Sequence, residues 1–294
     1  MANYFLSCCS ACDLNPEWTA RREIQYVNFK ITVNGELRTD DMGISLSPRE
    51  LVKMMQEGAE AQTSQVSVGD YVDYFRGLLE KGRDIVHITL STGISGTYHS
   101  ACQAADILKS EFPDNKIYIV DSLAASSGYG LLVDLAADKR DEGYSAEELV
   151  EWIEEYKLNV VHWFFSTDLS FYIKGGRISK TAGAVGQVLN ICPLMNVDYE
   201  GHLVPREKIR TKKKVVKRIV EKMIEEAEGG INYTGRCFLS DSDVELGNQV
   251  TELIEEIFPQ LKGRVHRFDI GCTIASHTGP GTVALVFQGK KRVD

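Results

Sequence analysis

The sequence predicts an α/β protein, with a parallel sheet flanked by helices in its first half and a second α/β unit with a mixed sheet behind it. Three observations carry this expectation. Apolar runs of strand length alternate with stretches of helical spacing from "NYFLSCC" to "KIYIVDS". Short loops follow the strands, as β-loop-α units require. Near residue 160 the pattern changes to longer strand candidates separated by two long amphipathic helices. The expected division is therefore 1–160 and 161–294.

Taken in order, "NYFLSCC" reads as the first strand. Asn34-Gly35 in "IQYVNFKITVNGELR" predicts a hairpin, because both residues accept the positive φ of a tight primed turn. Ser47-Pro48 supplies an N-cap and a first helical residue for "SPRELVKMMQEGAEA". A further helix follows Ser67 and stops by Gly82. "DIVHITLS" is the next strand, and a loop leads from it into a helix over about 98–110. "KIYIVDS" is followed by a second turn of small residues, "DSLAASSGYG", and a third helix. Ser145 and Glu148 form a capping-box pattern ahead of a helix ending near Asn159. Beyond it, "VVHWFFS", "CPLMNVDYEGHLVPREKIR" with its Glu200-Gly201 turn, and "RVHRFDIGCTIASHTGPGTVALVF" read as strands. Helices are expected near 212–228 and 244–262.

Bulk properties narrow the functions. The 294 residues are 43% hydrophobic and 26% charged, ordinary for a soluble globular chain. A formal net charge of −9 argues against general nucleic-acid binding. No apolar run approaches the roughly 20 residues of a membrane span. The start, "MANYFLSCCSACDLNPEW", lacks a basic leader, so a cytoplasmic protein is expected. Seven cysteines make no disulfide framework. Cys8, Cys9 and Cys12 cluster, but Cys102, Cys192, Cys237 and Cys272 stand alone and offer no second spaced pair of ligands. Small buried thiols are expected there, with no metal and no cofactor.

The loop "LSTGISGTYHSACQAA" carries the first candidate site. Gly93 and Gly96 let the backbone turn tightly, and Ser95 and Thr97 offer hydroxyls beside a helix N-terminus, where free N–H groups favour anionic oxygen. The loop has neither nucleotide-binding glycine spacing. Ser126, in the second small-residue loop, is a possible support. His277 in "ASHTGPG" is placed between a strand and a Gly-Pro-Gly turn, able to hydrogen-bond an oxyanion or move a proton. Lys174, Arg177 and Lys180 surround Gly175-Gly176, and Arg206, Lys208, Arg210 and Lys212 to Lys214 form a basic run. Cations at a helix start are locally unfavourable, which points to an anionic partner or a phosphate group.

Seven stretches in order, "TSQVS", "STGISGTYHSA", "VDSLAASSG", "KGGRISK", "LNICPLMNV", "VPREKIRTKKK" and "ASHTGPGTVALVF", resemble the DegV family. Where that family usually starts with aspartate-serine, "CSACDL" has Cys9 and Ser10 and keeps Asp13 and Leu14. The resemblance implies a two-domain α/β protein like the fatty-acid-binding component of bacterial fatty acid kinase. Such a protein buries a long-chain fatty acid and presents its carboxylate to a separate ATP-dependent subunit similar to dihydroxyacetone kinase, which forms an acyl phosphate. It implies that Thr63, Ser95 and His277 contact the carboxylate, and that Arg210 lies near it or on the partner face. It implies no catalytic residue in this chain. Two other readings stay open: an esterase-like enzyme with Ser95 as nucleophile and His277 as base, for which no G-x-S-x-G elbow exists, and a binder of a small polar or phosphorylated ligand.

Overall fold

The computed structural model describes residues 2–179 and 191–293. Lys180, at the end of the "KGGRISK" stretch, lies outside them. Thirteen strands form three sheets among the described residues.

The first sheet is wholly parallel, in the order β2-β1-β6-β7, from β1 (Tyr4–Cys9), β2 (Gln25–Val27), β6 (Asp84–Thr89) and β7 (Ile117–Asp121). Its central strands are buried on both faces, as parallel strands under helices must be. A small antiparallel sheet, β4-β3-β5, is built from β3 (Phe29–Val33), β4 (Glu36–Asp40) and β5 (Ala61–Ser64). Asn34 (φ 51°) and Gly35 (φ 84°) make the predicted tight turn between β3 and β4. The third sheet is mixed, in the order β10-β9-β8-β13-β11-β12. Its strands are β8 (Val160–Ser166), β9 (Ile191–Val197), β10 (Leu203–Arg210), β11 (Cys237–Asp241), β12 (Val265–Asp269) and β13 (Thr282–Gln288). Only β11 and β12 pair in parallel there.

Helix starts follow their caps. Ser47 accepts the Glu50 N–H at the head of α2 (Pro48–Gln56), after the short α1 (Pro16–Arg21). Ser67 and Asp70 close a capping box on α3 (Val68–Leu79), and Ser145 and Glu148 close another on α6 (Ala146–Tyr156). Between these lie α4 (Thr97–Leu108) and α5 (Ser126–Asp141). The helices of the second half are α7 (Ser170–Lys174), α8 (Lys212–Glu226), α9 (Val244–Ile257) and α10 (Cys272–Thr278).

Two expectations change. The "SSGYG" of the second small-residue loop is helical: α5 starts at Ser126, and its residues 126–137 are all buried. Helix α5 shares one apolar core with the parallel sheet and with Val160, Phe238 and Val286 of the mixed sheet. Its glycines permit this close packing, since a Cβ on Gly130 would stand 2.4 Å from the Cys12 carbonyl oxygen. The second change is "CTIASHT", which is α10 rather than strand. Ile270, Cys272 and Ala275 pack there against Ile31 and Val33 of the small sheet and Leu51 of α2. Cys8, Cys9 and Cys12 are buried thiols at the end of β1, with Cys8 and Cys12 sulfurs 3.8 Å apart.

Candidate functional site

Helix α10 and strand β5 meet at the mouth of a cavity of about 520 Å³, within the range of small-molecule sites. Its wall includes Thr63, Ser95, Gly96, Ser126, Arg177 and His277 from the loops and helix ends. Deeper in, the buried side chains of Phe29, Leu90, Phe164, Val197, Ile270 and Val286 line it. The lining thus combines partly exposed polar groups, Thr63, Ser95, Arg177 and His277 among them, with buried apolar side chains.

The register of the mixed sheet explains the apolar wall. Side chains alternate across a strand, so β8 turns His162 and Phe164 to one face and Trp163 and Phe165 to the other. Opposite them, β13 pairs Val286 with His162, Ala284 with Phe164 and Thr282 with Ser166. His162, Phe164, Thr282, Ala284 and Val286 all line the cavity. Trp163 and Phe165 join the other core, under α8 and α9.

At the mouth, His277 Nε2 and Thr63 Oγ1 are 2.7 Å apart. The other ring nitrogen, Nδ1, faces Arg177 Nη1 at 3.3 Å. A guanidinium only donates, so Nδ1 is the acceptor and the proton of the neutral ring sits on Nε2. Nε2–H then donates to the Thr63 oxygen, and the Thr63 hydroxyl proton is left to donate to a ligand oxygen. Burial, reinforced by the Arg177 charge, pushes the His277 pKa down to about 4, which keeps the ring neutral at physiological pH. Gly175 is required beside it, because a Cβ there would stand 2.4 Å from Nδ1.

The loop after β6 brings a second hydroxyl. Ser95 Oγ accepts the Thr97 N–H at 3.3 Å, and the Ser95 N–H donates to the Ser91 carbonyl. Gly96 lines the cavity with no room for a side chain, a Cβ there standing 2.4 Å from Gln65 Oε1. Thr97 and Gly93 do not line it. Thr97 is buried with its hydroxyl 2.9 Å from the Tyr71 hydroxyl, and Gly93 packs on the Gly201 carbonyl in the β9–β10 turn. Ser126 reaches the cavity wall, but its hydroxyl donates to Asp13. Arg210 is exposed at the end of β10 and is not a cavity residue.

The pairing expected for an esterase is not formed: His277 engages Thr63 and Arg177, not Ser95. Asp121, a carboxylate near the Ser95 loop, binds the backbone and side chain of Thr92 and the Leu123 N–H. Reasoning from residues alone passed over Arg177 as a site residue, although "GGR" was visible as a basic cluster. The Arg177 guanidinium places a positive charge beside His277. His162 carried no signal beyond being a polar residue in an apolar strand.

These features define an α/β protein whose ligand-sized cavity is lined by a hydroxyl-imidazole pair and by apolar residues of the small and mixed sheets. A family model described as "Uncharacterised protein, DegV family" matches residues 10–290, and the chain belongs to that family. It is 34% identical over 281 residues to a DegV domain-containing protein of Clostridium perfringens, covering 95% of each chain. To the DegV domain-containing protein YteA of Lactococcus lactis it is 32% identical over 284 residues, covering 96% of each. Among solved structures, it resembles a fatty-acid-binding DegV family protein from Thermus thermophilus at 27% identity, with a TM-score of 0.82 over 98% of this chain and 99% of that one. It also resembles the Streptococcus pneumoniae fatty acid kinase B3 protein loaded with linoleic acid, at 25% identity and a TM-score of 0.83 over 99% and 100%. Among the described residues no helix is long and apolar enough to cross a membrane.

Proposed function

We propose that this chain buries one long-chain fatty acid in the cavity and presents the carboxylate, at Thr63, Ser95 and His277, to a separate ATP-dependent kinase subunit. In this reading the chain has no chemistry of its own, works in the cytoplasm, and divides near residue 160 with the ligand between its two parts. The observation that carries it is the Thr63–His277 pair in the wall of a cavity that buried apolar side chains such as Phe29, Phe164, Val197 and Val286 also line. A buried methylene gives about 0.8 kcal/mol, so a sixteen-carbon tail supplies on the order of 10 kcal/mol before ordering costs. The ionised head needs several donors once it leaves bulk water. Thr63 and Ser95 hydroxyls supply them, and Arg177 behind His277 offsets part of the charge. Hydroxyl donors hold the carboxylate without a direct ion pair, so an oxygen keeps the electron density needed to attack a phosphoryl group.

Fatty acid kinase B3 of Streptococcus pneumoniae, by its name a kinase component, supports the partner half of the proposal. In this chain, Lys212, Lys213 and Lys214 are exposed at the N-terminus of α8, and Arg210 lies just before them. They form the face assigned here to the kinase or its nucleotide phosphates. A kinase subunit of the dihydroxyacetone kinase type would supply ATP and the phosphoryl-transfer machinery.

Solvent extraction of the freshly purified protein, followed by mass spectrometry, is expected to release fatty acid near one equivalent per chain. Loaded protein incubated with a fatty acid kinase subunit and ATP is expected to yield acyl phosphate, trapped by hydroxylamine as the hydroxamate. Protein that neither carries nor takes up fatty acid would reject the reading. Ester hydrolysis lost on Ser95→Ala would favour the esterase instead.

A further inference from the structure

Deep in the cavity wall stands a polar side chain that the binding of a plain hydrocarbon does not use. His162 is only 4% exposed and lines the cavity, and among the described residues neither Nδ1 nor Nε2 has a partner of full hydrogen-bond geometry, although the Val160 backbone lies close enough to favour the protonated ring. Its neighbours on the cavity wall are Phe164 along the strand and Val286 and Ala284 on the paired one. The ring is built in rather than left over. Gly128 of α5 makes the space for it, since a Cβ at that position would stand 1.8 Å from Nε2. Burial first, and then the nearby Arg292 charge, hold its pKa well below the ordinary range, with the Val160 backbone opposing them weakly. The ring is therefore neutral, with one nitrogen that donates and one that accepts.

A buried polar group left unpaired is costly, and native interiors almost always satisfy such groups. A hydrocarbon tail cannot satisfy this one. A hydroxyl can, because it both donates and accepts and so matches either nitrogen in either tautomer. The strand fixes where that hydroxyl would lie. Thr282, at the mouth end near α10, and Val286, opposite His162, are four residues apart on β13, which is roughly 13 Å of strand. An oxygen meeting His162 therefore sits well along the chain, far from the carboxylate.

We propose that His162 hydrogen-bonds an oxygen carried along the acyl chain, so that the cavity takes a long-chain fatty acid bearing a chain hydroxyl in preference to the unsubstituted acid. This rests on the reading of the cavity as a fatty-acid site and names the class of fatty acid it selects. Sites that hydrogen-bond a ligand hydroxyl discriminate strongly against the analogue lacking it, because the protein group is then left bare.

The test is competition binding on delipidated protein with stearic acid and a set of hydroxystearic acids whose hydroxyl is moved stepwise along the chain. One mid-chain or later isomer is expected to bind roughly tenfold or more tightly than stearic acid. In His162→Leu the ratio between the two is expected to collapse towards one or invert, and in His162→Asn, which keeps a polar group, to be partly retained. The preference of the unaltered protein decides the matter even if a variant fails to fold. Stearic acid binding as tightly as every hydroxy isomer would overturn the role of His162 while leaving the fatty-acid site standing. So would a loaded crystal structure in which ordered water alone satisfies the imidazole. No binding of any of these acids would overturn the fatty-acid reading together with this inference.

Discussion

At the scale of single residues, the mouth of the cavity works as a relay of hydrogen-bond polarity. Arg177 can only donate, which sets the His277 tautomer, which in turn leaves the Thr63 hydroxyl proton unengaged by the imidazole. Thr63→Val keeps the shape and removes the hydroxyl. Hydrogen bonds to a charged group contribute about 1.5–3 kcal/mol, so its affinity for a long-chain fatty acid is expected to fall roughly tenfold to a hundredfold. Isothermal titration of delipidated protein at neutral pH measures this, and an unchanged affinity would place the carboxylate elsewhere. Ser95 and His277 were visible in the sequence as a hydroxyl in a glycine-rich loop and a histidine before Gly-Pro-Gly. Thr63 emerged only through family likeness, because a threonine in a short strand has no local signature. Arg177 and His162 needed coordinates, since their importance lies in what stands opposite them.

At the scale of elements, capping chemistry was the most legible feature. Ser47, Ser67 and Ser145 each accept a backbone N–H three residues on, as their positions before helical runs predict. Ser145→Ala should lower the stability of the protein by about 1 kcal/mol through loss of the α6 cap. Because α6 contributes no residue to the cavity wall, fatty-acid affinity should stay the same. Urea unfolding and a parallel titration check the two halves, and a loss of binding would show that α6 shapes the site. Two elements were misread for one reason. The segments "SSGYG" and "CTIASHT" are rich in small and β-branched residues, which disfavour a helix in isolation. Each is helical here because it is packed on more than one side: α5 between two sheets, and α10 against the small sheet and α2. Tertiary contact outweighed local preference.

At the scale of the molecule, the sheets are tied by a few buried groups of unusual reach. The Arg292 guanidinium is nearly buried and donates to the carbonyls of Leu123, Lys157, Val197 and Asp198. It joins the loop after β7, the end of α6 and the turn after β9. Arg292→Ala leaves those carbonyls short of a donor and is expected to cost about 2–4 kcal/mol, read as a lower denaturation midpoint. A change below about 0.5 kcal/mol would show that water replaces the guanidinium freely. Acid should also act on the whole molecule. His87, His162 and His277 all have folded-state pKa values pushed below that of an ordinary histidine, foremost by burial, to about 3 for His87 and about 4 for His277. The unfolded chain therefore binds more protons than the folded one once the pH drops below about 6.5. The stability these rings contribute is complete above that pH and is lost as pH falls through about 4 and towards 3. Denaturant midpoints measured from pH 7.5 down to 4.5 should decline, and the decline should be shallower in His277→Gln. A flat profile would mean that these rings titrate alike in both states.

Periodicity, caps and turns were enough to establish the α/β class, most strand and helix positions, and the loops that reach the cavity wall. Those features are local, encoded within a few residues of one another, and they survive in the folded chain because the core agrees with them. The cavity is not local. Thr63 and His277 are separated by 214 positions and meet only because α10 docks on the small sheet. The apolar wall exists only because β8 and β13 pair in one register, which sends Phe164, Ala284, Val286 and His162 to a single face. A one-residue slip would turn that wall to the opposite side. Register and docking are long-range choices, made by burial across the whole chain, and so tertiary structure decided them.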